Sequence, residues 1–142
     1  MTEVTTVTTE VVQALSTLVP QLSASAPAPS ESDVAAIVAS PATILLVARD
    51  DTGSIVGSLT LVVFRAPTGP RAWIEDVVVD ESTRGKGTGA ALVQHALDRA
   101  VAAGARTVDL TSRPSRAAAN RLYLRLGFER RETNVYRWNH GP

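Results

Sequence analysis

Apolar residues recur with a helical period at the N-terminus, as β-branched runs in the middle, and with a helical period again further on. Residues 3–8 are rich in threonine and valine and predict a short first strand. From Thr9 to Val19 the apolar Val11, Leu15 and Leu18 lie at helical spacing, with Pro20 just beyond. The stiff loop Ser25-Ala-Pro-Ala-Pro-Ser30 leads into a short helix over about Glu31 to Ala39. Ile44–Arg49 and Ser54–Phe64 then read as strands, joined by the hairpin signal Asp50-Asp-Thr-Gly53. Residues 66–70, with two prolines and a glycine, predict a second turn into a strand over Ala72–Val79. A helix from about Gly87 to Ala103 turns Leu92, Val93, Ala96, Leu97, Ala100 and Val101 inward and ends at Gly104. Thr107–Thr111 is the next strand, a helix follows from about Ser115 to Leu126, and Gly127 stops it. Two short strands, near Phe128–Arg131 and Asn134–Trp138, complete the pattern. A strand, a helix and a strand in that order predict a right-handed crossover with parallel strands. The sum is a mixed α+β domain over 1–142: an antiparallel meander joined to one βαβ unit, without internal repeats or a linker.

The junction between the strand ending at Val79 and the helix after Gly87 carries the strongest chemical signal. Glycines at 85, 87 and 89 allow positive φ and leave backbone N–H groups unobstructed. The first N–H groups of a helix lack internal partners and lie at the positive end of its dipole, so such a turn binds phosphate. Arg84 and Lys86 add two full charges, and a diphosphate suits the site. The Walker A order of residues is absent. The dinucleotide fingerprint fits Gly85 and Gly87 but finds its third glycine one residue early. The pattern Arg/Gln-x-x-Gly-x-Gly/Ala is met in full by Arg84-Gly85-Lys86-Gly87-Thr88-Gly89.

That last pattern resembles the acyl-coenzyme A pyrophosphate loop of the GNAT N-acetyltransferases. The resemblance extends through Ile55-Val-Gly57-Ser-Leu-Thr-Leu, Trp73-Ile-Glu75-Asp76-Val-Val-Val79 and Ala119-Asn120-Arg-Leu-Tyr123-Leu-Arg-Leu-Gly127-Phe128, in the family's order. It covers about residues 44 to 138. It implies the GNAT fold, with a mostly antiparallel sheet of six to seven strands, one parallel βαβ unit and about four helices. It implies acetyl-CoA as cosubstrate, bound by Arg84, Gly85, Lys86, Gly87, Thr88 and Gly89. In the family the two parallel strands splay and the pantetheine arm lies between them, which assigns the backbones of Val77, Val78 and Val79 to the cosubstrate.

Composition narrows the function classes. The 44% apolar content agrees with a globular protein and no run approaches a membrane span. The N-terminus has no basic flank or apolar run of a secretory signal, so a cytoplasmic protein is expected. Without cysteine there is no disulfide and no thiol nucleophile, and the distant His95 and His140 suggest no metal site. The zero net charge hides a split. Residues 1–83 hold 10 acids and 3 bases, residues 84–142 hold 4 acids and 11 bases, and the sign changes at the glycine loop. A basic C-terminal half suits coenzyme phosphates, while a nucleic-acid binder would show a basic excess overall. Nothing in the sequence opposes a homodimer.

Acetyl transfer from a thioester to an amine needs a base for the amine, stabilisation of the oxyanion and an acid for the leaving thiolate. Glu75 and Asp76 are adjacent carboxylates in an apolar strand, and successive strand side chains face opposite ways. At least one should line a wet cleft, since burial without a partner is costly. Either Glu75 is the base or it pairs with one of the many arginines. The segment 74–79 resembles the corresponding strand of glucosamine-phosphate acetyltransferases, which favours the base. The backbone N–H of Val77 is the expected oxyanion donor. Tyr123 resembles the tyrosine of the family's Tyr-x-x-x-Gly-Phe signature, which faces the coenzyme sulfur and implies the acid; the alternative is a packed tyrosine with a satisfied hydroxyl. Seven residues before it, where many relatives carry asparagine, stands Arg116, and the nearest asparagine is Asn120. Either is a candidate coenzyme contact. The acceptor side would involve residues 20–32, Trp73 and the 134–138 segment. The expected activity is N-acetylation of a small-molecule amine without a covalent enzyme intermediate. A non-catalytic acyl-CoA-binding module and a protein acetyltransferase are the alternatives.

Overall fold

The computed structural model describes residues 1–141. It divides into two compact units, Met1–Thr111 and Ser112–Pro142. The first runs β1 (Thr2–Glu3), α1 (Thr9–Leu22), α2 (Glu31–Ala39), β2 (Thr43–Arg49), β3 (Ile55–Ala66), β4 (Gly69–Val79), a 3₁₀ turn (Glu81–Thr83), α3 (Thr88–Ala102) and β5 (Val108–Asp109). The strands form one five-stranded sheet in sequential order. Pairings from β1 to β4 are antiparallel and β4 pairs with β5 in parallel, as the crossover pattern predicts.

Four consecutive residues of β2, Leu45 to Ala48, are buried. Neighbouring strand residues face opposite sides, so both faces of the sheet are covered. Leu45 packs with Val11 and Leu15 of α1 and with Val34 of α2. On the other side Gly57 of β3 lies against Leu92 of α3. The helix ends follow local rules. Thr8 caps α1 by accepting from the Val11 N–H, and Ser30 and Asp33 form a reciprocal capping box on α2. Helix α1 runs through Pro20 to Leu22 instead of ending at Val19. Proline costs one helical hydrogen bond, and in the last turn that loss does not interrupt the coil.

Three expectations are corrected. Val101 is 71% exposed rather than part of the α3 core, which is Leu92, Val93, Ala96 and Ala100. Strand β5 pairs over two residues instead of five. The sheet has five strands rather than six to seven, because 128–131 and 134–138 join no ladder among the described residues. The first of these runs is mostly charged, and in the second Val135, Tyr136 and Trp138 are 71%, 88% and 84% exposed. Strand propensity without a partner to cover those side chains does not make a strand. The second unit is therefore α4 (Ala117–Arg125) followed by irregular chain.

Candidate functional site

The glycine loop has the open geometry its sequence predicts. Gly85 and Gly87 take φ of 83° and 80°, and Gly87 occupies the N-cap of α3 in the left-handed region. A Cβ at either position would meet nothing within 4 Å, so the backbone angle rather than crowding calls for glycine there. No side chain caps α3, and its first internal bond beyond the cap is the Ala91 N–H to the Gly87 carbonyl at 3.0 Å. The amides of Thr88, Gly89 and Ala90 are thus left for an external acceptor at the positive end of a 15-residue helix. Arg84 and Lys86 are both exposed beside them.

The run-in to this loop is more tightly organised than the sequence suggests. The Asp80 N–H is bonded to the Val56 carbonyl at 2.8 Å, and the Asp80 carboxylate accepts the Ser82 N–H and hydroxyl. Gln21 of α1 reaches across. Its Nε2 donates to Asp80 Oδ1 at 2.8 Å and its Oε1 accepts the Glu81 N–H at 3.0 Å. The Ser82 hydroxyl, followed by Gln21, holds the Asp80 carboxyl below its ordinary range. Neither Gln21 nor Asp80 carries a motif signal, since one polar residue at a helix end is compositionally ordinary.

Strand β4 is paired with β5 only at Ala72 and Trp73. From Ile74 to Val79 its β5 side has no ladder partner among the described residues, since β5 ends at Asp109. A β-bulge falls in this stretch. Val78 opposes Ser58 and Glu75 opposes Thr60, so Leu59 alone faces Asp76 and Val77. Asp76 takes φ of 52°, the one positive value at a non-glycine residue among those described. The bulge breaks the strict alternation and leaves both Glu75 and Asp76 exposed. Glu75 finds a partner two residues back on the same face: Trp73 Nε1 donates to its Oε1 at 2.6 Å. The expected alternative of an arginine partner is not realised among the described residues. Val77 and Val79 are half-buried and Val78 is core. The Val79 carbonyl accepts from Arg84 Nε at 3.2 Å, so a ligand using that oxygen shares it with the guanidinium or displaces it.

In the second unit the helix end around Tyr123 explains part of its motif. Gly127, at φ 98°, lets the Phe128 N–H reach the Tyr123 carbonyl at 3.0 Å and the Gly127 N–H reach Leu124 at 3.1 Å. This is a Schellman ending, and its usual apolar contact is the edge-to-face pair of Tyr123 and Phe128, 5.7 Å between ring centres. The phenol is half-buried. Burial raises its pKa above the ordinary value of 10.0, against a smaller opposing effect of the Arg116 cation. Asn120 Nδ2 donates to the Arg113 carbonyl at 3.1 Å, which leaves its oxygen and a second N–H. Arg116 is exposed at the N-cap of α4. Trp138 is 84% exposed beside His140. A shallow apolar depression near Pro41, Val63, Phe64 and Pro70 lies at the other end of β4 from the glycine loop and contains none of the candidate residues.

The Acetyltransferase (GNAT) family matches residues 12–128. L-methionine sulfoximine/L-methionine sulfone acetyltransferases of Pseudomonas paraeruginosa and Pseudomonas aeruginosa are each 36% identical over 86 residues, 60% of this chain and 50% of theirs. The chain thus spans about half the length of the curated relatives it matches. A solved protein from Agrobacterium tumefaciens superposes with a TM-score of 0.85 at 27% identity, covering 98% of this chain and 100% of its own. A transcriptional regulator from Bacillus halodurans superposes with a TM-score of 0.68 at 31% identity, covering 78% and 77%.

Proposed function

Because the chain belongs to the GNAT acetyltransferase family, we propose that it transfers the acetyl group of acetyl-CoA to the amine of a small-molecule acceptor, with residues 1–142 acting as one domain. The observation that carries this reading is the uncapped, glycine-lined N-terminus of α3, reached through the 3₁₀ turn from a β4 segment that has no β5 ladder partner among the described residues. The pyrophosphate would bind at Arg84, Gly85, Lys86, Gly87, Thr88 and Gly89, and the pantetheine along the backbone of Val77 to Val79. Arg116 and Asn120 are further candidate contacts.

In the proposed reaction Glu75 takes a proton from the acceptor ammonium, directly or through water. The free amine attacks the thioester carbon, and the Val77 N–H at the bulge receives the developing oxyanion. As the tetrahedral species collapses the C–S bond breaks. The coenzyme thiolate takes the Tyr123 phenolic proton, the acylated nitrogen gives its second proton to water, and exchange with solvent restores Glu75 and Tyr123. The exposed Glu75 carboxylate, steadied by Trp73, supports the base role, and the half-buried Tyr123 phenol, protonated at neutral pH like any tyrosine, is available as a donor.

The Pseudomonas relatives favour an amino acid or a close analogue as the acceptor to test, with methionine sulfoximine and methionine sulfone the first to try. Release of free thiol from acetyl-CoA, measured across those two compounds, other amino acids, amino sugars, polyamines and short peptides, tests the reading. Turnover with one small-molecule class is expected. Turnover with peptides alone would move the assignment to a protein acetyltransferase. The Bacillus halodurans regulator favours a second reading, an acyl-CoA-binding module without turnover. Acetyl-CoA binding with no thiol release from any acceptor would establish it.

A further inference from the structure

We propose that Gln21 is a positioning residue for the acetyl-CoA loop: from the last turn of α1 it fixes the segment out of which the glycine turn rises. This inference rests on the proposed role of that loop. Three hydrogen bonds use the Gln21 carboxamide. Nε2 donates to Asp80 Oδ1 at 2.8 Å and to the Thr17 carbonyl at 3.2 Å, and Oε1 accepts the Glu81 N–H at 3.0 Å. The Thr17 bond holds the side chain along its own helix, so its two outward contacts meet the loop from a rigid base.

The contacts fall at the start of the loop. Asp80 is the last residue before the 3₁₀ turn, and Arg84 follows that turn directly. Apart from Gln21, Asp80 is tied to β3 by its N–H, while its carbonyl accepts the Thr83 N–H and hydroxyl. Its Oδ2 serves Ser82. These last bonds shape the turn locally but do not anchor it to the rest of the fold. Gln21, 59 and 60 residues away in sequence, supplies the side-chain anchor. A diphosphate bound on backbone amides requires those amides to converge before the ligand arrives, because ordering them on binding costs affinity. Loosening residues 80–81 should therefore be felt as weaker donor binding.

The polarity of the bridge makes the test specific. Gln21 presents an N–H to a carboxylate, so Gln21→Glu sets two carboxylates face to face while keeping an acceptor for the Glu81 N–H. Adding Asp80→Asn reverses the pair: the new amide donates to the new carboxylate, and its oxygen still serves Ser82. Calorimetric binding of coenzyme A to the full chain is expected to weaken by about five- to thirtyfold in Gln21→Leu and in Gln21→Glu, the range of one or two lost hydrogen bonds. Gln21→Glu/Asp80→Asn restores both outward contacts but not the Thr17 bond, and should bind at least about threefold more tightly than Gln21→Glu. In turnover assays the loss should appear in KM for acetyl-CoA and spare kcat, a division that general destabilisation would not produce.

Wild-type-like affinity in Gln21→Leu would overturn the inference. So would a double variant that melts like wild type and binds no better than Gln21→Glu. Should Gln21→Leu fail to fold, the pair of Gln21→Glu and its double variant still decides. A wild-type protein that binds no coenzyme A would instead remove the donor reading of the loop, and this inference with it.

Discussion

At φ 52° Asp76 holds a backbone angle that costs most L-residues about 1–2 kcal/mol and that Asp and Asn tolerate best. The angle belongs to the bulge that leaves Glu75 and Asp76 both open to solvent. Asp76→Asn should leave stability unchanged, whereas Asp76→Val should cost about 1–2 kcal/mol in urea denaturation, since a β-branched side chain resists positive φ. Equal stabilities would show that the bulge relaxes without cost. Tyr123 makes a different demand on its surroundings. Burial keeps the phenol protonated past its ordinary pKa, so an acid role predicts a kcat plateau extending above about pH 10. Tyr123→Phe should lower kcat by about ten- to a thousandfold with little change in acetyl-CoA affinity. Unaltered turnover would leave Tyr123 only its place in the Schellman ending, where the edge-to-face contact with Phe128 already gives the Tyr-x-x-x-Gly-Phe spacing a structural use.

Among the elements, those specified by local chemistry were the most legible in the sequence. Thr8 and Ser30 start α1 and α2 where the periodicity begins, and Gly104 and Gly127 stop α3 and α4 at the expected places. The hairpin at 50–53 forms around an Asp50 carboxylate that accepts the amides of Thr52 and Ser54. Less legible were features that depend on a distant partner. The bulge at 76–77 exists only in register with β3, and the 128–138 run has strand-forming residues without a ladder to join. Gly57 belongs to this second kind: nothing local requires glycine there. A Cβ would stand 2.9 Å from Leu92 Cδ1 and 3.3 Å from the Val78 carbonyl. Leu92 is fully buried and the carbonyl is backbone, so neither can yield cheaply. Gly57→Ala should cost about 1–3 kcal/mol by forcing α3 away from the sheet. A calorimetric Tm equal to that of wild type would mean that α3 is seated less closely than this contact implies.

For the molecule as a whole, the charge split at the glycine loop was visible in the sequence, but how the acids are held was not. Four carboxyls sit below their ordinary pKa values, each for a local reason. Arg49 bonds to Glu10, the Ser30 backbone to Asp33, Thr52 to Asp50, and Ser82 then Gln21 to Asp80. A carboxyl with a depressed folded pKa takes up its proton more readily in the unfolded chain. Its contribution is therefore complete above the unfolded value of about 4 and is lost as pH falls through the lower folded value. Urea midpoints should stay level from pH 7 to about 5 and then decline toward pH 3. All four groups lie at the surface, so each contributes modestly, and the decline should be a slope rather than a collapse. Three of the four are held chiefly by uncharged donors, so added salt should weaken mainly the Glu10 share. Asp33→Asn, which removes one such carboxyl, should lower stability at pH 7 and flatten the acid decline. A midpoint independent of pH down to 3 would show that these hydrogen bonds do not distinguish the folded from the unfolded chain.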